Sequence, residues 1–360
     1  MKFALFQSPH TPPERTPREV YDWVVGQAVV ADQAGLTEYW VGEHATVAWE
    51  PVPNPEIILA AAAARTERIK LCPGAHLLPY HHPASLAVQV SWLTHLAEGR
   101  YILGVGAGAY PSDAALRGLT DMRGNHDMVV EALEIMEKVW AAEPFHHEGK
   151  FWKAGYPQTK EGQLPLRDVR PYGGKVEIAM AGTSSPSKSL AFAGSRGYIP
   201  LSVFSGNERV AQHWATFSEA AEAAGHTVDR SMLRVQRDVF VAETDKEARK
   251  WAIEGGLGYA WSRILLPHFK RLGLLDGLVQ GVADPLSVDL DYLADHVWIV
   301  GSPDTVAEKL AACLEESGGW GTTLVPGHNY AANPEPWNES LRLMAAEVAP
   351  RLRKLAPAAD

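Results

Sequence analysis

Apolar residues along this chain recur in two alternating rhythms, short near-continuous runs and longer stretches of helical period, separated by Gly- and Pro-rich punctuation. Lys2 to Gln7 predicts a strand, and the amphipathic stretch from about Pro17 to Ala34, stopped by Gly35, predicts a helix. The same unit then recurs. Strands are expected at 39–41, 69–72, 101–105, 176–180, 198–203, 233–241 and 322–325. The helices between them follow Pro53-Asn54-Pro55, His82-Pro83, the fourth strand (ending near Trp140), Ser185-Pro186, Asn207, Asp245 and Pro336-Trp337. Strands alternating with helical crossovers must pair in parallel, and eight such units predict a closed (β/α)8 TIM barrel occupying 1–360 as one domain. Residues 143–175 and 255–300 exceed the simple count and read as insertions, the form that lids and binding loops take. The helix containing Ile57 to Ala64 is apolar all round, which predicts a helix–helix contact in a homodimer.

Composition narrows the function. The 360 residues carry a net charge of −10 with no basic cluster, which argues against nucleic acid or an anionic membrane as partner. No apolar run approaches the ~20 residues of a membrane span, and the N-terminus turns polar at Ser8-Pro9, so a cytoplasmic protein is expected. Cys72 and Cys313 read as free thiols of a reducing compartment.

Chemistry in such barrels gathers where strands end, which directs attention to His44, just past the second strand, and to His76, just past the third. Isolated histidines are more often structural than catalytic, but two on adjacent strand ends mark this rim as a candidate functional site, with His44 the candidate catalyst. After the fifth strand, Gly182-Thr183-Ser184-Ser185 offers hydroxyls and a helix start, with Ser185 expected as N-cap and Pro186 as first helical residue. That combination suits a phosphate dianion; the alternative is a merely capped helix. Gly104-Val105-Gly106-Ala107-Gly108-Ala109 matches a dinucleotide fingerprint nominally, but Tyr110-Pro111 interrupts the helix and Glu131 falls mid-helix. The glycines read instead as a rim turn for a flat ring, or as tight packing. His81-His82 and His146-His147-Glu148 lack metal-ligand spacing, so no metal is expected, and no nucleophile elbow supports a hydrolase.

Taken together, Glu43-His44, Tyr101 to Gly108, Ala181-Gly182-Thr183-Ser184, Glu148-Gly149-Lys150-Phe151-Trp152 and the Gly301-Ser302-Pro303 helix start resemble the bacterial-luciferase-like flavin monooxygenases nearly end to end. Pro53-Asn54-Pro55-Glu56, Ala75 to Pro79 and Gly318 to Thr322 are most similar to the diketocamphane branch of that family. The resemblance implies reduced FMN and O2 as reactants, a separate NAD(P)H:FMN reductase delivering the flavin by diffusion, and Baeyer–Villiger oxygenation of an apolar cyclic ketone. It implies FMN phosphate at Gly182, Thr183, Ser184 and Ser185, the ring near Ala75, His76, Gly106, Ala107 and Gly108, and a cis peptide near Gly74-Ala75 or Ala75-His76. His44 would manage the proton of the activated oxygen, while Trp40, Trp49, Tyr110 and Phe204 would wall the substrate. Luciferases carry an arginine where this chain has Ala107, so Lys188 or Arg196 is expected to help with the phosphate. Two alternatives stay open: a deazaflavin-dependent oxidoreductase and a non-catalytic flavin-binding subunit.

Overall fold

The computed structural model describes residues 1–160, 163–273, 275, 278–279, 282 and 284–356. Eight parallel strands form the central wall: β1 (Lys2–Gln7), β2 (Glu38–Val41), β3 (Lys70–Pro73), β4 (Ile102–Gly106), β5 (Glu177–Gly182), β6 (Ile199–Ser202), β7 (Arg234–Gln236) and β8 (Thr322–Gly327). They pair in the order β3-β2-β1-β8-β7-β6-β5-β4. The ring is completed where Leu71 bridges Tyr101 and where His76–Leu77, directly after β3, pairs with Val105 and Gly106. The expected barrel is therefore present, with strand ends within a residue or two of their predicted positions, apart from the seventh.

Helices α1 (Pro17–Ala34), α2 (Pro55–Ala63), α3 (Pro83–Leu96), α4 (Asn125–Ala141), α5 (Lys188–Ser195) and α6 (Asn207–Ala223) surround the first six strands. Local chemistry sets their ends. Thr16 and Glu19 form a reciprocal capping box at the start of α1, and Gly35 closes it at φ 90°. The start of α5 departs from expectation: Ser185-Pro186 is a cis bond ahead of the helix, and Ser187, not Ser185, accepts the Leu190 N–H as N-cap. Two more residues thereby remain in the loop on the rim.

Period-two alternation fills the barrel in layers. At its N-terminal end Glu38 pairs with Arg234 at 2.7 Å, and Lys70 pairs with Glu177. Above them Ala4, Trp40, Cys72, Ile102, Ala179, Leu201 and Leu324 pack as an apolar plug. Trp40 has no exposed surface and donates its Nε1–H to Glu38 at 2.9 Å, so the expectation that it walls the substrate is corrected: its even-numbered register turns it into the barrel. A side chain at Gly104 would come within 2.1 Å of the Pro73 carbonyl and 2.9 Å of the Trp40 ring. The barrel's uppermost layer is consequently built of small groups around Phe6 and Val203.

Two regions revise the reading of the insertions. Residues 143–175 contain an antiparallel hairpin, Phe145–Glu148 with Lys153–Tyr156, held by Glu131, whose carboxylate accepts the N–H groups of Lys150, Phe151 and Trp152. The predicted strand 233–241 splits: beyond β7, Val239–Val241 leaves the barrel and pairs in parallel with Ile299–Gly301, at the end of the second insertion. The break falls at Arg237 and Asp238, whose polar groups are committed to Ser205 O, Asn207 and the Trp261 indole. Helix Leu266–Leu272 from this segment reaches the rim, where Phe269 meets Phe204 edge-on at 5.2 Å.

Candidate active site

Glu43 and His44 follow β2 and diverge. Glu43 is 1 % exposed and accepts the Leu77 N–H at 3.0 Å and His81 Nε2 at 2.9 Å, with His76 Nδ1 at 3.5 Å and Arg117 at 3.8 Å. Burial pushes its carboxyl up, but the bonds to His76 and His81 outweigh burial and hold it down at about 2. Glu43, His76 and His81 bring ligand atoms within 4.8 Å of one another, a metal-type grouping that spacing did not disclose because it joins separate segments. With the Arg117 cation beside it and its oxygens already accepting donors, this carboxylate serves as a tie that fastens the segment after β3 to the rim. That segment contains the cis peptide Gly74-Ala75, where one was expected. His76 itself is fully enclosed, packed edge-on against His81, and stands behind the rim surface, whereas Ala75 reaches it.

His44 lies on the open side. Its Nδ1 is 3.1 Å from Asp113 Oδ2 and its Nε2 is 3.5 Å from Glu50 Oε2. Asp113 is almost fully buried in the short helix Pro111–Leu116, and its other oxygen accepts Ala45 N–H, Thr46 N–H and the Thr46 hydroxyl. Burial raises the Asp113 carboxyl, but the bonds from Thr46 and His44 prevail and keep it below the usual range. An anionic acceptor at Nδ1 requires Nδ1 to carry hydrogen, which leaves Nε2 as the working nitrogen. The Tyr110 ring packs edge-on against His44 at 4.9 Å, and burial, with Glu50 and Asp113 nearby, pushes its phenol up to about 12.

A buried polar chain continues away from His44. Burial pushes the Glu50 carboxyl up, but the pull of His10 and His44 when they are protonated, with a hydrogen bond from Ser8, holds it below its usual range. His10 Nδ1 meets His328 Nδ1 at 3.0 Å, and His328 Nε2 stands 3.9 Å from Asp238. Burial drives His10 down to about 4, so it is neutral at physiological pH.

Across the rim, Thr183, Ser184 and Ser185 are exposed, Gly182 is buried beneath them, and the turn Gly106-Ala107-Gly108 is partly open. Trp49, Tyr110 and Phe204 are also partly exposed. Arg196 is engaged elsewhere, bonding Glu137 and the Tyr198 hydroxyl, which removes it from the phosphate role expected of it; Lys188 is exposed at the first residue of α5.

Residues 1–320 match the family model of luciferase-like monooxygenases. The chain belongs to that family. It is 46% identical to 3,6-diketocamphane 1,6-monooxygenase of Pseudomonas putida, and 44% identical to 2,5-diketocamphane 1,2-monooxygenase 1 of the same organism. Each match covers 98% of this chain, with 98% and 99% of the respective relative. The solved structure of the oxygenating constituent of 3,6-diketocamphane monooxygenase, in complex with FMN, superposes with a TM-score of 0.94 at 47% identity over 97% of this chain and 98% of that one.

Within this luciferase-like site, the sequence had singled out His44 and the hydroxyl loop but not Asp113, Glu50, His10, His328 or Phe269. Asp113 lies 69 positions from His44, and no local pattern links them. An acid two residues past the Tyr110-Pro111 interruption is the one sequence signal that points toward it. The dinucleotide reading also fails on the structure: past β4 the chain enters only the short helix Pro111–Leu116, and Glu131 is spent on the hairpin.

Proposed function

We propose that this protein is the oxygenase of a two-component, FMN-dependent monooxygenase that inserts one oxygen atom beside the carbonyl of a cyclic terpenoid ketone, a Baeyer–Villiger reaction. The observation that carries the reading is the end-to-end likeness to the diketocamphane oxygenases, together with a built acid–base group, His44, on the rim. The residues fit FMN: three exposed hydroxyls and a helix start for a phosphate, and a layer kept small by Gly74, Gly104 and Gly106 for a flat ring. When bound in reduced form, FMN supplies oxygen activation, one atom entering the substrate and the other leaving as water.

The chain's own residues do the rest. Asp113 fixes the His44 tautomer, and His44 Nε2 holds or passes a proton at the rim with Glu50 Oε2 as its neighbour. Trp49, Tyr110, Phe204 and Phe269 supply apolar walls that exclude water and orient the ketone. The reduced flavin comes from a separate reductase, a reading supported by the likeness to the oxygenating constituent of 3,6-diketocamphane monooxygenase. Among the described residues no helix is long and apolar enough to cross a membrane, and the free thiols of Cys72 and Cys313 support a cytoplasmic enzyme. Ile57 of α2 and Val88, Trp92 and Leu96 of α3 present exposed apolar surface on adjacent helices, which supports a homodimer across this face.

The test supplies the purified chain with a generic FMN reductase, NADH and labelled O2, and screens cyclic ketones and long-chain aldehydes by product mass. Lactone carrying one labelled oxygen is the expected result. Turnover only with a deazaflavin, or none with any carbonyl compound, would replace this reading with the oxidoreductase or the non-catalytic alternative.

A further inference from the structure

The loop after β5 is propped from one side by helix α6. His213 Nε2 donates to the Ser184 carbonyl at 2.9 Å, and its Nδ1 accepts the Ser202 hydroxyl at 2.8 Å. The Ser185 hydroxyl donates to Gln212 Oε1 at 2.6 Å. One turn nearer the helix start, Arg209 reaches the same loop, its Nη1 lying 3.5 Å from the Thr183 carbonyl. Positions 209, 212 and 213 share a helix face, so one surface of α6 presents an arginine, an amide and an imidazole to the three hydroxyl residues.

Arg209 differs from the other arginines placed near this rim. Arg117 stands beside Glu43, Arg237 is enclosed by Ser205 O, Asn207 and Trp320, and Arg196 is bound to Glu137. Among the described residues Arg209 forms no ion pair with a carboxylate, and its one hydrogen bond there is the contact with the Thr183 carbonyl. Burial pushes the His213 imidazole down, the bond to the Ser184 carbonyl opposes it, and the charge of Arg209 adds to the lowering, so the arginine is the fixed cation of this face. A half-buried guanidinium with four N–H groups uncommitted, set over exposed hydroxyls and a helix start, has the chemistry of an anion site in need of its anion.

We propose that Arg209 recognises the 5′-phosphate of the flavin, reaching it from α6 beside the hydroxyl loop. The proposal rests on the reading that the hydroxyl loop holds the phosphate. It makes Arg209 the residue by which the enzyme prefers FMN to riboflavin, with His213 and Ser202 positioning the loop beneath it.

Binding of oxidised FMN and of riboflavin, followed by fluorescence titration, tests this in wild type, Arg209→Ala, Arg209→Lys and the loop variant Ser184→Ala/Ser185→Ala, with thermal melts reporting folding. Arg209→Ala should weaken FMN about ten- to a hundredfold and leave riboflavin unchanged, and Arg209→Lys, which keeps the charge without the fork, should fall between. Wild-type FMN affinity in Arg209→Ala, with affinity lost in the loop variant, overturns the role of Arg209 and spares the loop. Unchanged FMN affinity in both variants overturns the loop reading itself. An equal loss of FMN and riboflavin in Arg209→Ala overturns phosphate recognition in favour of simple loop support.

Discussion

Asp113→Asn isolates the acid–base group with the smallest change of shape. Asp113 Oδ1 faces three donors, Ala45 N–H, Thr46 N–H and the Thr46 hydroxyl at 2.7–3.1 Å, while Oδ2 faces His44 Nδ1. The asparagine will keep its carbonyl toward the three donors and turn its NH2 toward His44. Nδ1 must then accept, hydrogen moves to Nε2, and the working nitrogen loses its lone pair. A misassigned acid–base group costs about 10²–10⁴-fold in its step. The structural cost is smaller. One charge-assisted bond is lost at ~1.5–3 kcal/mol, which for a chain this long lowers Tm by roughly 2–4 °C. Product, hydrogen peroxide and NADH consumption are measured together with a reductase in excess. The expected result is a fall in product turnover of at least about two orders of magnitude, with KM for the ketone nearly unchanged and peroxide release raised. The double variant with His44→Ala should be no worse than His44→Ala alone, because the two act as a unit. A fully coupled Asp113→Asn enzyme with wild-type turnover would refute the reasoning and return His44 to a structural role.

The remaining expectations concern stability and assembly. His10 binds its proton near 6.5 when unfolded but only near 4 when folded, so its contribution is complete above about pH 6.5 and is lost as pH falls through that window, by about 2 kcal/mol at pH 5. His10→Gln should therefore shrink the Tm difference between pH 7.5 and pH 5, and melts at the two values check it. Glu43 is held at about 2 against its ordinary 4.5, which gives stability present above about pH 4.5 and lost toward pH 2. Glu43→Gln should lower Tm at pH 7 by roughly 4 °C, corresponding to about 3 kcal/mol, with the gap narrowing below pH 4; a gap independent of pH would show that the charge is not responsible. Ala60→Glu with Ala64→Glu, on the outer side of α2 and its C-terminal cap, should convert dimer to monomer in light scattering, and an unchanged dimer would place the interface elsewhere.

The fold was legible because strand and helix periodicities are local properties. Alternation of short apolar runs with amphipathic stretches admits parallel pairing only, and Gly35 and Pro17 mark the first helix to the residue. Even the burial of Trp40 was implicit in β2, since Glu38 and Trp40 share a face and the barrel turns that face inward. Capping proved less transparent: Ser185 and Ser187 flank the same proline, and which of them closes the helix depends on the path of the loop above Gly182. The seventh strand divides because Arg237 and Asp238 find partners outside the barrel, a decision made by residues far away in the chain. The site itself is tertiary. His44 stands out by its position after β2, but Asp113, Glu50 and His10 reach it from three separate segments, and Arg209 reaches the hydroxyl loop from another helix. Sequence determines which side chains are available and which way each strand turns them; only closure of the barrel brings carboxylates and imidazoles within ångströms of one another, and there their charges and burial set the chemistry.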